Sequence, residues 1–152
     1  MASQNMFGTI TVNGKNYIKR PQIFPFVKAA FSSNGTAVDT SSRLVLPGIY
    51  DFMLFYLTRD TIVSGASTVR RFLFRFGNSD GAVWYQQAGN GGTQDRVLDN
   101  LIFGNAQFPY ALPAPIVYGA SSNIMMEFQD ISNQGGTYDI QLAFHGVYLV
   151  PA

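Results

Sequence analysis

The sequence predicts an all-β protein, an antiparallel β-sandwich of jelly-roll type with an N-terminal hairpin or arm. Three observations carry this expectation. No long window has the apolar period of a helix. Short alternating runs recur along the chain, separated by clusters of Gly, Pro, Asn and Ser. Some of the connections between them are long, which allows strands to cross between two sheets. A chain of 152 residues suits one domain, here divided into a hairpin arm at 1–22 and a sandwich at 23–152. A closed barrel is the alternative architecture.

The elements follow in order. GTITVNGKNYIK (8–19) alternates around Asn13-Gly14, a pair that supplies the positive φ angles of a two-residue hairpin turn. QIFPFVKAAF (22–31) contains Pro25, which cannot donate to a ladder, so this piece is an edge strand or an irregular arm. Residues 32–43 form a polar loop, Pro47-Gly48 marks a turn, and IYDFMLFYLTR (49–59) reads as a long strand. VRRFLFRFG (69–77) and AVWYQQAG (82–89) are two more, joined by a turn at Asn78-Ser79-Asp80-Gly81. AGNGGTQD (88–95) is a glycine-rich tip, and RVLDNLIFGNA (96–106) holds either a short helix or a strand.

The segment FPYALPAPIVYGASSN (108–123) carries Pro109, Pro113 and Pro115. Proline fixes φ and keeps the preceding residue extended, so spaced prolines hold a chain straight. Folded strand is expected on both sides, which favours a crossover between sheets over a polyproline recognition ligand. In NIMMEFQDI (123–131), Ile124, Met126 and Phe128 share a face; in TYDIQLAFHGVYLV (137–150), Tyr138, Ile140, Leu142 and Phe144 do. SNQGG joins these two, and an antiparallel hairpin with one buried face is expected. About eight strands result.

Composition narrows the function. Charged residues are 12% of the chain against about 25% in ordinary domains. So few charges leave part of the outer surface apolar or neutral, and large surfaces of that kind mark partner contacts. A neutral polar surface of Asn, Gln, Ser, Thr and Gly is the competing account. The net charge of +1 gives no nucleic-acid footprint. Arg70, Arg71 and Arg75 form the densest basic cluster, on strand positions that face outward or into an interface. There is no cysteine, the first residues lack a secretory pattern, and YDFMLFYL is too short to span a membrane.

A catalytic set is not legible either. His145 is the single histidine, no G-x-S-x-G elbow accompanies it, and an outward or interface position is its simpler reading. Zinc would need more Cys or His than the chain has, and Asp95, Asp99 and Asn100 lack the spacing of a calcium loop. The glycines at 89, 91 and 92 are followed by no Gly-Lys-Ser/Thr, so no phosphate cradle is indicated. No enzyme activity, metal or cofactor is expected.

RRFLFRFG, then FPYALPAPIVY, then NIMMEFQDIS, a glycine-rich turn and YDIQLAFHGVYLV: this order resembles small jelly-roll or β-sandwich virion proteins of tailed bacteriophages, over roughly the last two-thirds of the chain. The resemblance implies a structural role in the virion, decorating or cementing the capsid shell, with synthesis in the host bacterial cytoplasm. The implied partners are further copies of the chain, as dimer or trimer, and the major capsid or other virion proteins. Residues expected at the interface are Met6, Phe7, Tyr17, Ile23, Phe24, Phe26, Arg70, Arg71 and Arg75. The alternative is a carbohydrate- or receptor-binding module of the tail or head–tail connector, with Trp84 and Tyr85 as a glycan platform.

Overall fold

The computed structural model describes residues 6–63, 70–78, 84–85, 96–103 and 110–152. Ten strands and one short helix lie among them: β1 Thr9–Val12, β2 Lys15–Ser32, β3 Val38–Val45, β4 Asp51–Ile62, β5 Phe72–Gly77, β6 Trp84–Tyr85, β7 Val97–Leu98, α1 Asp99–Phe103, β8 Ala111–Tyr118, β9 Asn123–Asp130 and β10 Thr137–Pro151. They build two antiparallel sheets. The first runs β1-β2-β10-β4-β8; the second runs β3-β9-β5-β6, with β7 also beside β5. With β1 set aside, this is the jelly-roll order, in which β2, β3, β4 and β5 alternate between sheets, as do β8, β9 and β10.

Each sheet turns one apolar face inward, and phenylalanine fills the space between. Phe52, Phe72, Phe74, Phe76, Phe128 and Phe144 have no exposed surface. Phe74 and Phe128, from neighbouring strands of the second sheet, meet at 5.1 Å between ring centroids, and Phe24 meets Phe52 edge-on at 4.9 Å. Such rings bury large areas and gain a further ~0.5–1.5 kcal/mol per well-oriented pair. Gly146 is required where β10 passes β4, because a Cβ there would lie 2.0 Å from the Met53 carbonyl oxygen.

The last two strands depart from the expected hairpin. Both bury the predicted faces, but β9 lies in the second sheet and β10 in the first, so residues 131–136 cross between sheets. Asp130 fixes that crossing. Its carboxylate accepts from the Gly35 N–H at 2.7 Å, the Tyr138 hydroxyl at 2.9 Å, and the N–H groups of Ser132 and Asn133. Burial pushes the Asp130 pKa up, but these donors outweigh it and hold the carboxyl below its ordinary value. Burial, with the bond to Asp130, pushes the Tyr138 phenol up.

The proline segment is extended, as expected, but it is not itself the crossover: Ala111–Tyr118 is a strand paired with β4, and Phe108 and Pro109 lie outside the described residues. β8 is the outer strand of the first sheet beside β4, and the turn after Tyr118 carries the chain to β9 in the other sheet. The described part of the 96–106 segment, residues 96–103, resolves the choice between helix and strand by being both, β7 followed at once by α1.

β2 is continuous, so the boundary placed at residue 22 falls inside it, and Tyr17 to Ser32 run beside β10 with a bulge at Ala29 and Ala30. The Lys19 N–H donates to the Gly8 carbonyl, so Lys19 faces the β1 side. In an antiparallel strand every second residue faces the same way. Pro21 and Pro25 therefore face the open side of β2 and cost no bond to β10.

Candidate docking surface

The outer face of the first sheet is apolar over most of its length, with polar and charged side chains towards its ends. Phe24 points into the core, so its neighbours Ile23, Pro25 and Val27 point out. Register carries this face across the sheet. Ile23 stands beside His145, and His145 beside Tyr56; Pro25 stands beside Ala143, and Ala143 beside Thr58; Pro21 stands beside Val147, and Val147 beside Met53.

The two halves of the face differ in cover. At one end Met53, Phe55, Val147 and Leu149 are buried as a second, smaller core under Met6, Ile10, Val12 and Tyr17. The β1 hairpin lies over them, held by the Asn13-Gly14 turn with φ of 50° and 75°. At the other end the face is open: Ile23 is 52% exposed, Val27 51% and Ile62 48%. Asp60 and Asp139 stand at its far edge, and the middle holds no charged residue. His145 sits in that middle, its ring stacked on Tyr56 at 4.5 Å and its Nε2 2.9 Å from the Thr58 hydroxyl. Burial lowers the His145 pKa. Among the described residues, no hydrogen bond or ion pair to a carboxylate accompanies the Thr58 contact.

The residues singled out from the sequence separate into groups. Met6 and Tyr17 support the smaller core, while Phe7 is 70% exposed beside it. Ile23 lies on the open face. Phe24 belongs to the main core and Phe26 packs against it, stacked on Phe128, so neither supplies outer surface. Arg71 and Arg75 do face outward, opposite Phe72, Phe74 and Phe76, but they are paired rather than a free basic cluster. Arg70 is buried; Arg71 Nε bonds Asp99 at 2.8 Å, alongside Arg59; Arg75 pairs with Glu127, which Arg96 also contacts at 3.2 Å. The partners of Arg71 and Arg75 are within the chain, because Asp99 and Glu127 are brought beside them by α1 and β9 from distant sequence. Glu127, without an evident partner in the sequence, thus holds two guanidinium groups.

Trp84 and Tyr85 form β6, paired with β5 at the edge of the second sheet; their side chains, and the glycine-rich tip at 88–95, lie outside the described residues. So do Asp95 and the expected turn residues Ser79, Asp80 and Gly81. Among the described residues no group of three His, Cys, Asp or Glu side chains converges as a metal site, and no helix is long and apolar enough to cross a membrane.

Sequence reasoning missed Val27 and Ile62 as members of the surface. Val27 was findable, since it shares parity with Ile23; Ile62 needed the β4–β10 register. The chain matches no protein-family profile, no curated protein and no solved structure.

Proposed function

We propose that the protein is a non-catalytic structural component of a virus particle, a capsid decoration or cement protein that docks through the outer face of its first sheet. The observation that carries this reading is the open apolar face around Ile23, Val27 and Ile62, neutral in its middle and continuous with a buried apolar cluster. An apolar face whose charges stand at the edge, as Asp60 and Asp139 do here, suits burial against a partner. Jelly rolls recur in capsid proteins, a fold-level analogy that supports the reading without carrying it. So does the resemblance of the proline segment and the last strands to small virion proteins.

On this reading the face buries against the shell or against further copies of the chain. Light scattering and co-sedimentation with capsid shells test it. The wild-type chain is expected to pellet with shells, and Ile23→Asp/Val27→Asp to stay in the supernatant with its circular dichroism unchanged. Equal pelleting of both proteins would contradict the assignment.

A further inference from the structure

The sequence holds three Asn-Gly pairs, at 13–14, 34–35 and 90–91. Such a pair is reactive because glycine leaves its own amide open to close approach. The glycine nitrogen can reach the asparagine Cγ and close a five-membered ring, which a side chain on the second residue would hinder. Asn90-Gly91 lies outside the described residues. At Asn34-Gly35 both reacting groups are held. Asn34 Oδ1 accepts from the Thr36 N–H at 2.9 Å, the Ala37 N–H at 2.7 Å and the Thr36 hydroxyl at 3.3 Å, which fixes the side chain on the loop ahead of it. The Gly35 N–H donates to Asp130 Oδ2 at 2.7 Å. That amide must lose its proton before its nitrogen attacks. The Asp130 carboxylate holds the proton in place and opposes the negative charge its loss would leave.

Asn13-Gly14 has none of this restraint. Both residues are exposed at the tip of the β1–β2 hairpin, with φ of 50° and 75°. Among the described residues, neither the Asn13 side chain nor the Gly14 N–H has a hydrogen-bond partner. The residue that follows is Lys15, an exposed cation. Attack requires Asn13 to rotate out of its turn. β1 has four paired residues and stands at the edge of the first sheet, where local opening costs least.

We infer that Asn13 is a site of spontaneous deamidation through a cyclic imide, and that its isoaspartyl product unseats the hairpin. The deprotonated Gly14 nitrogen bonds to Asn13 Cγ. The bond from Cγ to the side-chain nitrogen breaks, and ammonia leaves with the proton the amide gave up. Water then opens the ring at either carbonyl, giving Asp or isoaspartate, each with one new carboxylate. In isoaspartate the main chain runs through the former side chain and is longer by one methylene. A two-residue turn closed by two positive φ angles does not fit the extra atom. Ile10 and Val12, which that turn holds over Met53, Phe55, Val147 and Leu149, then lose their seat. The covered half of the outer face joins the half that is already open. This chemistry does not depend on the docking reading above and goes beyond it.

The test keeps the full chain in mildly alkaline buffer, samples it over days and cleaves it after Lys and Arg. The Asn-Gly pairs then fall on separate peptides, 1–15, 29–43 and 76–96. Mass spectrometry reads the exchange of amide for acid and fragmentation locates it. Peptide 1–15 is expected to convert at Asn13, and 29–43 at least about tenfold more slowly, a factor that breaking one charge-assisted hydrogen bond accounts for. In urea the two should convert at similar rates, because the restraint on Asn34 is gone. Asn13→Gly, which keeps the positive φ, should leave 1–15 unconverted. The isoaspartyl form, isolated by chromatography, should show a shifted Met53 methyl signal in NMR and faster exchange of the β1 amides. Asn13→Asp, with the same charge and an ordinary backbone, should show neither. Equal conversion of the two peptides in the folded chain, or conversion of 1–15 in urea alone, would overturn the site. An isoaspartyl form with the wild-type Met53 signal would overturn the unseating.

Discussion

The outer faces of the two sheets solve the same problem in opposite ways. On the second sheet, β5 and β9 place Arg75 and Glu127 side by side, Arg96 adds a second cation, and Gln129 accepts from it at 3.2 Å. That face carries its own polar partners. On the first sheet, β2, β10 and β4 place Ile23, Val27, Ala143 and Ile62 outward, and the hairpin covers only the far half. A face closed by internal ion pairs has little left to offer a partner. A face that hides half its apolar surface under its own hairpin and leaves the rest open retains something to bury.

The largest expected effect breaks the charged side. Glu127→Gln leaves Arg75 and Arg96 without the carboxylate they share, and stability should drop by about 3–5 kcal/mol in urea unfolding. A loss below about 1 kcal/mol would show that this face does not depend on its ion pairs. The covered half of the other face comes next. Met53→Ala removes packing beneath the hairpin and should cost about 2–5 kcal/mol. If the cost is negligible, the hairpin is not seated on a true core.

Acid should act on the carboxylate ties between the sheets, and at higher pH on the histidine of the first sheet's outer face. Asp39 and Asp130 both bind protons more weakly folded than unfolded. For Asp39, burial raises the pKa, but the ion pair with Lys28 and hydrogen bonds from Ser41 and Ser42 bring it down to about 2. The stability they lend is complete above the unfolded carboxylate pKa of ~3.9 and is lost as pH falls through the folded values. Asp130→Asn should therefore flatten the acid limb of a stability–pH curve below pH ~4. His145, lowered by burial, acts earlier: the unfolded chain takes the proton more readily, so stability declines as pH drops below ~6.5. His145→Gln should remove that shallow slope. The smallest effect belongs to the open half: Ile23→Ala should change stability by no more than about 0.5 kcal/mol. A larger loss would mean that Ile23 packs within the chain and is not held for a partner.

Much of the fold was legible because it is written in local periodicity. The Asn13-Gly14 turn, the inward faces of β9 and β10, and the extended course of the chain through Pro113 and Pro115 all depend on neighbours in sequence; that this last piece pairs with β4, and that the turn after it makes the crossing, does not. The pairing of β9 with β10 was misread because alternation fixes which residues are buried and not which sheet they join. The outward turn of Arg71 and Arg75 was read correctly, but their partners were not, for a related reason. Arg71 and Arg75 do alternate with Phe72, Phe74 and Phe76, but what they meet is set by Asp99 and Glu127, far along the chain. Phe24 and Ile23 are adjacent, so only the register with β10 decides which one the surface receives.

The central claim is that the open half of the first sheet is held for a partner. Co-sedimentation of capsid shells with wild type, Ile23→Asp/Val27→Asp and Arg43→Glu, on β3 of the other sheet, tests it most directly. The account predicts that wild type and Arg43→Glu pellet and that the double variant, still folded, does not. Loss of pelleting in Arg43→Glu with retention in the double variant would place the contact on the second sheet and contradict it.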